Sequence, residues 1–174
     1  VSDIGYAFGI QTKDAGEPVP GSTAKNTEFT SRLNWQQENN SVSFNYRYLD
    51  GERTSFPEQS GGPEFAVGRD LDNSDYKDQS AALSWVSQVN NIWQSKISAS
   101  WYQRDEDLIS PGIVPFDAVP PNGSVVDFNR TQFNWINTLG DQQKFWANIG
   151  VETKKEDGTI EEQWSGNYLF ENEW

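Results

Sequence analysis

Apolar side chains occupy every second position in eight stretches of this chain, whereas the 3.6-residue spacing of an amphipathic helix is almost absent. In the stretch SVSFNYRYLD (41–50), for example, Val42, Phe44, Tyr46 and Tyr48 alternate with small or polar residues. Because successive side chains of a β-strand point to opposite faces, this alternation predicts strands with one apolar and one polar face. The eight predicted strands cover residues 4–11, 29–35, 41–50, 80–85, 93–101, 130–138, 145–152 and 160–170.

The connections between these strands alternate in length along the chain. Short connections cover 36–40, 87–91 and 138–143, and long connections rich in Pro and Gly cover 13–27, 51–77 and 105–129. The last connection, KKEDGT (154–159), has an intermediate length. Alternate connections of an antiparallel meander lie at opposite ends of the sheet, and outer-membrane barrels have short periplasmic turns and long extracellular loops. Residues 1–174 are therefore predicted to form a single segment of an all-β, antiparallel transmembrane β-barrel with about eight strands.

The alternation by itself also fits a soluble sheet, in which the aromatic face packs into a dry core. Three features favour lipid around the aromatic face instead. The polar face is rich in small residues, the charged residues concentrate in the long connections, and large aromatic side chains lie close to the short turns, as in the interfacial girdle of a barrel. These aromatic residues are Trp35, Trp93, Trp135 and Phe145. We therefore expect the protein to be located in the cell outer membrane.

Composition excludes several function classes. The net charge of −13 argues against nucleic acid as a partner, because phosphate binding needs a basic surface. The absence of Cys and His excludes thiol catalysis, Cys/His zinc sites and His-based triads within this chain. The carboxylates of Asp105, Glu106 and Asp107 are adjacent, so on a strand they point to alternating faces and do not form a hydrolytic pair. We expect no enzymatic activity.

Several segments resemble consecutive barrel strands of TonB-dependent outer-membrane receptors, particularly the vitamin B12 receptor-like branch. These segments are SVSFNYRYLDGER (41–53), DLDNSDYKDQSAALSW (70–85), WQSKISASWYQRDED (93–107), FNRTQFNWINTL (128–139) and FWANIGVETKKEDGT (145–159). The resemblance implies a barrel of about 22 strands that encloses a plug. It also implies import of a scarce nutrient, such as cobalamin or a siderophore, with energy that TonB supplies through the plug.

Eight strands are too few for such a receptor, and an open sheet leaves unpaired edges that lipid does not tolerate. The partners expected from the resemblance are the remaining barrel strands and the plug, on the same or a separate chain, besides membrane lipid and a small-molecule nutrient. The alternative is a stand-alone eight-stranded outer-membrane barrel with a structural or adhesive role. Its closing strand would end at Trp174, near the short turns. Its interior would hold the charged residues Arg32, Arg47, Lys96, Glu152 and Glu161.

Four aromatic residues in the long connections are the predicted ligand-binding rim. They are Phe56, Phe65, Phe116 and Phe128. Apolar side chains in a water-exposed loop suit contact with a ligand, although mutual packing within an ordered loop explains them equally well.

No cofactor is predicted except calcium, for which closely spaced aspartates offer oxygen ligands. These aspartates are Asp70, Asp72, Asp75 and Asp78. Their spacing does not match an EF-hand loop. The resemblance implies calcium-binding carboxylates in the segment that here reads AKNTEF (24–29), where Lys25 and Thr27 stand instead. A solvated acidic loop is the alternative.

Overall fold

The computed structural model describes residues 2–18, 20–55, 71–111, 121–141, 145–164 and 167–173. They form one antiparallel sheet in which the strands lie in chain order, so the predicted all-β meander is confirmed. The strands are β1 (Ser2–Asp14), β2 (Thr23–Gln37), β3 (Asn40–Ser55), β4 (Asp72–Asn90), β5 (Trp93–Ser110), β6 (Asn122–Asp141), β7 (Phe145–Trp164) and β8 (Asn167–Glu173). No helix in the described part of the chain is long and apolar enough to cross a membrane.

The pairing register collects like side chains into rows that cross the sheet. The row through Val42 consists of Ile4, Trp35, Val42, Trp85, Ile97, Trp135 and Val151. The next row, on the other face, consists of Gly5, Asn34, Ser43, Ser84, Ser98, Asn134 and Glu152. We call the face that carries Val42 the apolar face and the face that carries Ser43 the polar face. The alternation seen within each strand therefore extends across seven strands.

The sheet has no second layer among the described residues, and its apolar face is uncovered. Leu49 is the one buried hydrophobic residue in the described part of the chain. On the apolar face, Phe8 is 64% exposed at the edge of the sheet, and Trp85 and Phe133 are still 40% and 39% exposed at its centre. A soluble domain covers such a face with another layer of secondary structure. A contiguous exposed apolar surface of this kind is typical of a contact surface.

Most strands extend further toward the long connections than the alternation predicted. Strand β3 continues to Ser55, β4 begins at Asp72, β5 continues to Ser110 and β6 begins at Asn122. Much of the predicted connections 51–77 and 105–129 is therefore strand. These extensions lack a continuous apolar face, but each has a paired neighbour, so the backbone hydrogen bonds of the ladder hold them extended.

The predicted hairpin at 154–159 and the eighth strand at 160–170 are wrong. Strand β7 runs without interruption through this segment to Trp164, because β6 pairs with it along its whole length and places Phe128 opposite Gly158. Strand β8 instead begins at Asn167 and pairs with Thr159–Trp164. It thus starts at the end of the sheet that carries the long connections. Trp174 lies outside the described residues.

Both edges of the sheet are open within the described residues. Strand β1 pairs only with β2, and no pairing joins β1 to β8. Strand β8 pairs only with the end of β7 that lies near the long connections, so Phe145–Gly158 pair with β6 alone. The described residues therefore form an open sheet, not the closed eight-stranded barrel of the alternative prediction.

Candidate functional site

The polar face holds all five arginines of the described strands. They are Arg32, Arg47, Arg53, Arg104 and Arg130. The register places Arg47 and Arg130 in one row, with Arg32 and Arg104 in the neighbouring rows of the same face. A guanidinium group offers five fixed donors that match carboxylate and phosphate oxygens. The arginines therefore give this face the capacity to bind anions.

Glu106 is the centre of an ion-pair cluster near the long-connection end of the polar face. Its carboxylate accepts hydrogen bonds from Arg53 (2.6 Å), Arg104 (2.7 Å) and Ser74 (2.9 Å). Burial of the side chain, which is 14% exposed, disfavours the charged form. The bonds from Arg104 and Ser74 outweigh burial, so the pKa of Glu106 lies below its usual value of 4.5. Glu106 thus stays ionised and ties β3, β4 and β5 together.

Further carboxylates pair with three arginines of this face, Arg104 among them for a second time, and Arg32 is the exception. Arg104 lies 3.6 Å from Asp78, Arg47 donates to Glu28 at 2.8 Å, and Arg130 donates to Glu156 at 2.5 Å. Arg32 instead donates to the neutral side chain of Asn45 at 2.9 Å. No carboxylate of the described residues lies within ion-pair distance of Arg32. Within the described part of the chain, the charge of Arg32 is therefore not balanced by a carboxylate.

A depression of about 440 Å³ lies on the polar face around Arg32 and Arg47. Small side chains and polar groups line much of it, together with Phe8 and Tyr46 from strand positions of the apolar face. The lining residues include Ala7, Gly9, Thr30, Asn45, Ser80 and Ala82. Among the described residues of the lining, the two arginines are the only charged ones. In a chain with 26 acidic and 13 basic residues, a site without a carboxylate is a local reversal of the overall charge.

Three tryptophans on the apolar face have hydrogen-bonded indole N–H groups close to the short turns. Trp85 donates to Asn40, Trp93 to Asn137 and Trp135 to Ser95, at 3.3, 3.0 and 3.0 Å. The rings remain partly exposed while their polar atoms are satisfied by the sheet itself. An amphipathic aromatic side chain in this arrangement suits a boundary between lipid and water.

The predicted ligand-binding aromatics fall mostly outside the described residues. These are Phe56, Phe65 and Phe116. Phe128 is not in a loop but in β6, on the polar face. Its ring centroid lies 5.3 Å from the Arg130 guanidinium and 6.0 Å from the Tyr102 ring. Phe128 therefore packs within the sheet wall, because β6 begins earlier than the sequence predicted.

The predicted calcium ligands are not brought together. Asp70 lies outside the described residues, and the other three aspartates lie in β4. Asp72 and Asp78 are on the polar face and Asp75 is on the apolar face, because three residues along a strand reverse the side-chain direction. Asp78 accepts a hydrogen bond from Tyr102 at 3.2 Å. The described residues contain no cluster of three or more acidic side chains placed to hold a metal ion.

The charged residues expected inside a small barrel are also divided between faces. Arg32, Arg47, Lys96 and Glu152 share the polar face, and Glu161 lies on the apolar face. Sequence reasoning missed the depression itself. The sequence signal for it was that each arginine stands an even number of positions from the small or polar residues of its strand, which places them on one face. Arg32 and Asn34 are such a pair, and so are Arg47 and Ser43. The missing element was the register, which brings Arg32, Arg47 and Ala7 together.

No protein-family model matches the chain, and comparisons with curated proteins and with solved structures found no significant similarity.

Proposed function

We propose that the chain is part of the barrel wall of a TonB-dependent nutrient receptor in the outer membrane of a Gram-negative cell. In this proposal the apolar face contacts lipid, the polar face lines the lumen, and the long connections form the ligand-facing rim. The observation that carries it is the oblique course of the apolar side chains across the sheet.

The apolar stretch ends at one level on β1, β2 and β3 and then shifts toward the short turns from β4 to β7. On β1 it spans Ile4–Ile10, and on β7 it spans Phe145–Val151. The register places Ile10, the last apolar residue of the stretch on β1, level with Tyr48 on β3. It places Val151, the last apolar residue of the stretch on β7, level with Val42 on β3. Between β1 and β7, six strand steps apart, the end of the apolar stretch nearest the long connections therefore moves by six residues. We call the apolar stretches of all strands together the apolar band. With a rise of about 3.4 Å per residue and about 4.8 Å between strands, this shift tilts the apolar band by about 35°, on average, from the direction that runs across the sheet perpendicular to the strands. Strands of a membrane barrel tilt by about 35–45°.

A flat lipid layer around tilted strands produces this oblique band, and a protein core does not require it. The paired strands leave their backbone polar groups satisfied, which is the condition for a sheet in hydrocarbon. The strand extensions beyond the band carry charged residues on both faces, such as Asp50 and Arg53 on β3. They suit a sheet that rises out of the membrane into the extracellular water.

The open edges support a barrel larger than eight strands. Within the described residues, β1 has one neighbouring strand, and so does the part of β7 near the short turns, Phe145–Gly158. In lipid these edges need further strands, on the same chain or another chain. A plug inside such a barrel, coupled to TonB, and a nutrient as cargo follow from the family resemblance of the barrel segments. Cobalamin and siderophores are the ligand classes that this resemblance implies.

Single-cysteine labelling tests the membrane arrangement, and the chain suits it because it contains no cysteine. Two neighbouring pairs of variants compare the faces: Phe44→Cys with Asn45→Cys, and Phe133→Cys with Asn134→Cys. In outer-membrane vesicles, a water-soluble maleimide should label the cysteines at 45 and 134 and leave those at 44 and 133 unlabelled. A lipid-soluble maleimide should reverse the preference. Equal labelling of both faces, or recovery of a monodisperse protein without detergent, would overturn the proposal.

Nutrient uptake tests the receptor function separately. Deletion of the encoding gene should abolish TonB-dependent uptake of one radiolabelled substrate, cobalamin or a ferric siderophore, and the intact gene should restore it. Uptake that is unchanged for all of these substrates, with the membrane labelling pattern retained, would favour the structural or adhesive barrel.

A further inference from the structure

The depression around Arg32 and Arg47 is built differently from the rest of the polar face. Elsewhere on this face the described arginines are neutralised by carboxylates, as Arg53 is by Glu106 and Arg130 by Glu156. Here Arg47 is paired with Glu28, but among the described residues Arg32 has the neutral side chain of Asn45 as its partner, and no described acidic residue lines the space. A binding site for a cation would have the opposite composition.

Small residues at the bottom of the depression leave its volume open. A Cβ atom at Gly9 would lie 2.9 Å from the Thr30 hydroxyl, so any larger residue at position 9 would force Thr30 to move. Ala7 and Ala82 lie in one row with Arg32 and Asn45, which leaves the guanidinium of Arg32 beside open space. The volume of 440 Å³ falls within the range of small-molecule sites, about 300–1,000 Å³.

Several hydrogen-bond donors converge on this space. Arg32 engages Asn45 through Nε, and Arg47 engages Glu28 through Nε, so these contacts leave the terminal nitrogens of both groups for other acceptors. The hydroxyls of Thr30 and Ser80 line the same space. Guanidinium groups with neighbouring hydroxyls favour carboxylate or phosphate oxygens, which accept paired hydrogen bonds from arginine.

We propose that this depression binds a carboxylate or phosphate group of a small soluble ligand, with Arg32 as the main contact and Arg47 as the second. The inference deepens the proposed function and rests on it, since a polar face that lines the lumen meets solutes that pass through the barrel. It assigns the passing solute an anionic group and places its contact on the wall, below the rim of long connections.

Arginine modification in the purified protein, in detergent micelles at constant ionic strength, tests the site. Phenylglyoxal reacts with accessible guanidinium groups, and mass spectrometry of the digested protein reports the rate at each arginine. The probes are citrate for carboxylates and inorganic phosphate for phosphates. At least one probe should slow the modification of Arg32 and Arg47 several-fold and leave Arg130, which is paired with Glu156, unchanged. Equal protection of all arginines, or protection of none, would overturn the proposal.

Two variants test the same site through affinity. Arg32→Gln should weaken binding of the protecting anion by about tenfold, the loss expected for one charge-assisted hydrogen bond. Gly9→Ala should weaken it by filling the floor without a change in charge. Arg130→Gln is the matched control and should bind within about twofold of the unsubstituted protein. Anion binding that is unchanged in Arg32→Gln would count against the site.

The outcomes separate this inference from the proposed function. If Arg32 and Arg47 are already protected without added anion, carboxylates of the protein itself occupy the depression and the proposed ligand site is wrong. The cysteine labelling pattern would be unaffected by that result, and the membrane wall would stand. If the labelling pattern fails while selective protection is observed, the proposed function is wrong and the anion site remains.

Discussion

Asp105 lies directly opposite Asp127 in the pairing of β5 with β6, on the apolar face beyond the apolar stretch of each strand. Burial raises the pKa of Asp127 above its usual 3.8, and the neighbouring carboxylate of Asp105 raises it further. Like charges directly opposite on paired strands destabilise a sheet. Because the folded-state pKa is raised, this unfavourable contribution is absent at low pH and appears as the pH rises through the folded-state value.

Asp127→Asn should therefore stabilise the protein at neutral pH. We expect the free energy of unfolding at about pH 7 to rise by about 0.5 kcal/mol, and the gain to vanish at about pH 3, where the carboxyl of Asp127 is neutral in the unsubstituted protein as well. Urea titrations of the protein in lipid vesicles at the two pH values measure the difference. Asp3→Asn is the control, since Asp3 faces Gln36 instead of an acid. A loss of stability at neutral pH in Asp127→Asn would contradict the repulsion.

Glu106→Gln should have the opposite sign. The carboxylate holds Arg53, Arg104 and Ser74 at once, so the neutral amide loses two charge-assisted hydrogen bonds. Arg53 then loses its carboxylate partner among the described residues, while Arg104 keeps Asp78 at 3.6 Å. We expect a loss of about 2 kcal/mol in the free energy of unfolding at neutral pH. The folded-state pKa of Glu106 is lowered, so its stabilising contribution is present above about pH 4.5 and is lost as the pH falls through the folded-state value.

The same urea titrations, repeated between about pH 7 and pH 3, follow the Glu106→Gln difference. It should shrink toward zero in acid, where the carboxyl of the unsubstituted protein is also neutral. Glu52→Gln removes an exposed carboxylate from the opposite face of β3 and is the matched control. A difference that persists unchanged in acid would show that packing, not charge, sets the effect.

The strands and the two faces of the sheet could be predicted from the sequence because alternation is a local signal. The stretch Val42–Tyr48 shows it in four consecutive alternate positions. The ends of the strands could not be predicted in this way. Residues 105–110 read DEDLIS and carry no alternation, yet they are strand because β4 and β6 pair with them on both sides. Turn-like residues misled in the same manner, since Asp157 and Gly158 resemble a hairpin turn but pair with β6.

The candidate site was only partly accessible to sequence reasoning. That Arg32 and Arg47 share the polar face follows from alternation alone. The contact of Arg53 with Glu106 joins residues 53 positions apart on β3 and β5, across the intervening β4. Such contacts depend on the register of two successive strand pairs, and the sequence does not state where each pairing begins.

Tryptophan fluorescence should report which face contacts lipid. Trp135 lies on the apolar face at the level of Val42, and Trp146 lies on the polar face at the end of the sheet with the short turns. Lipids with brominated acyl chains quench tryptophans that touch them. We expect Trp135→Phe to remove part of this quenching and Trp146→Phe, the matched control with a similarly exposed ring, to remove none. Quenching lost equally in both variants would mean that both faces meet lipid.

Gly51 and Gly5 both lie on the polar face, but they differ in the space beside them. A Cβ atom at Gly51 would lie 2.5 Å from the Tyr76 ring, whereas at Gly5 the nearest atom, Cβ of Asn34, is 4.0 Å away. Gly51→Ala must displace Tyr76, whose ring lies 6.0 Å from the Arg104 guanidinium in the Glu106 cluster. We expect a loss of about 1 kcal/mol in the free energy of unfolding.

Gly5→Ala is the control for this change, because it adds the same methyl group in ordinary contact and lowers the backbone freedom of the unfolded chain. Its free energy of unfolding should stay equal or rise by about 0.5 kcal/mol. Urea titrations of both variants in vesicles, with near-ultraviolet circular dichroism to follow the Tyr76 environment, measure the contrast. Equal stability of the two variants, with an unchanged tyrosine signal in Gly51→Ala, would mean that Tyr76 does not cover Gly51 in the folded protein.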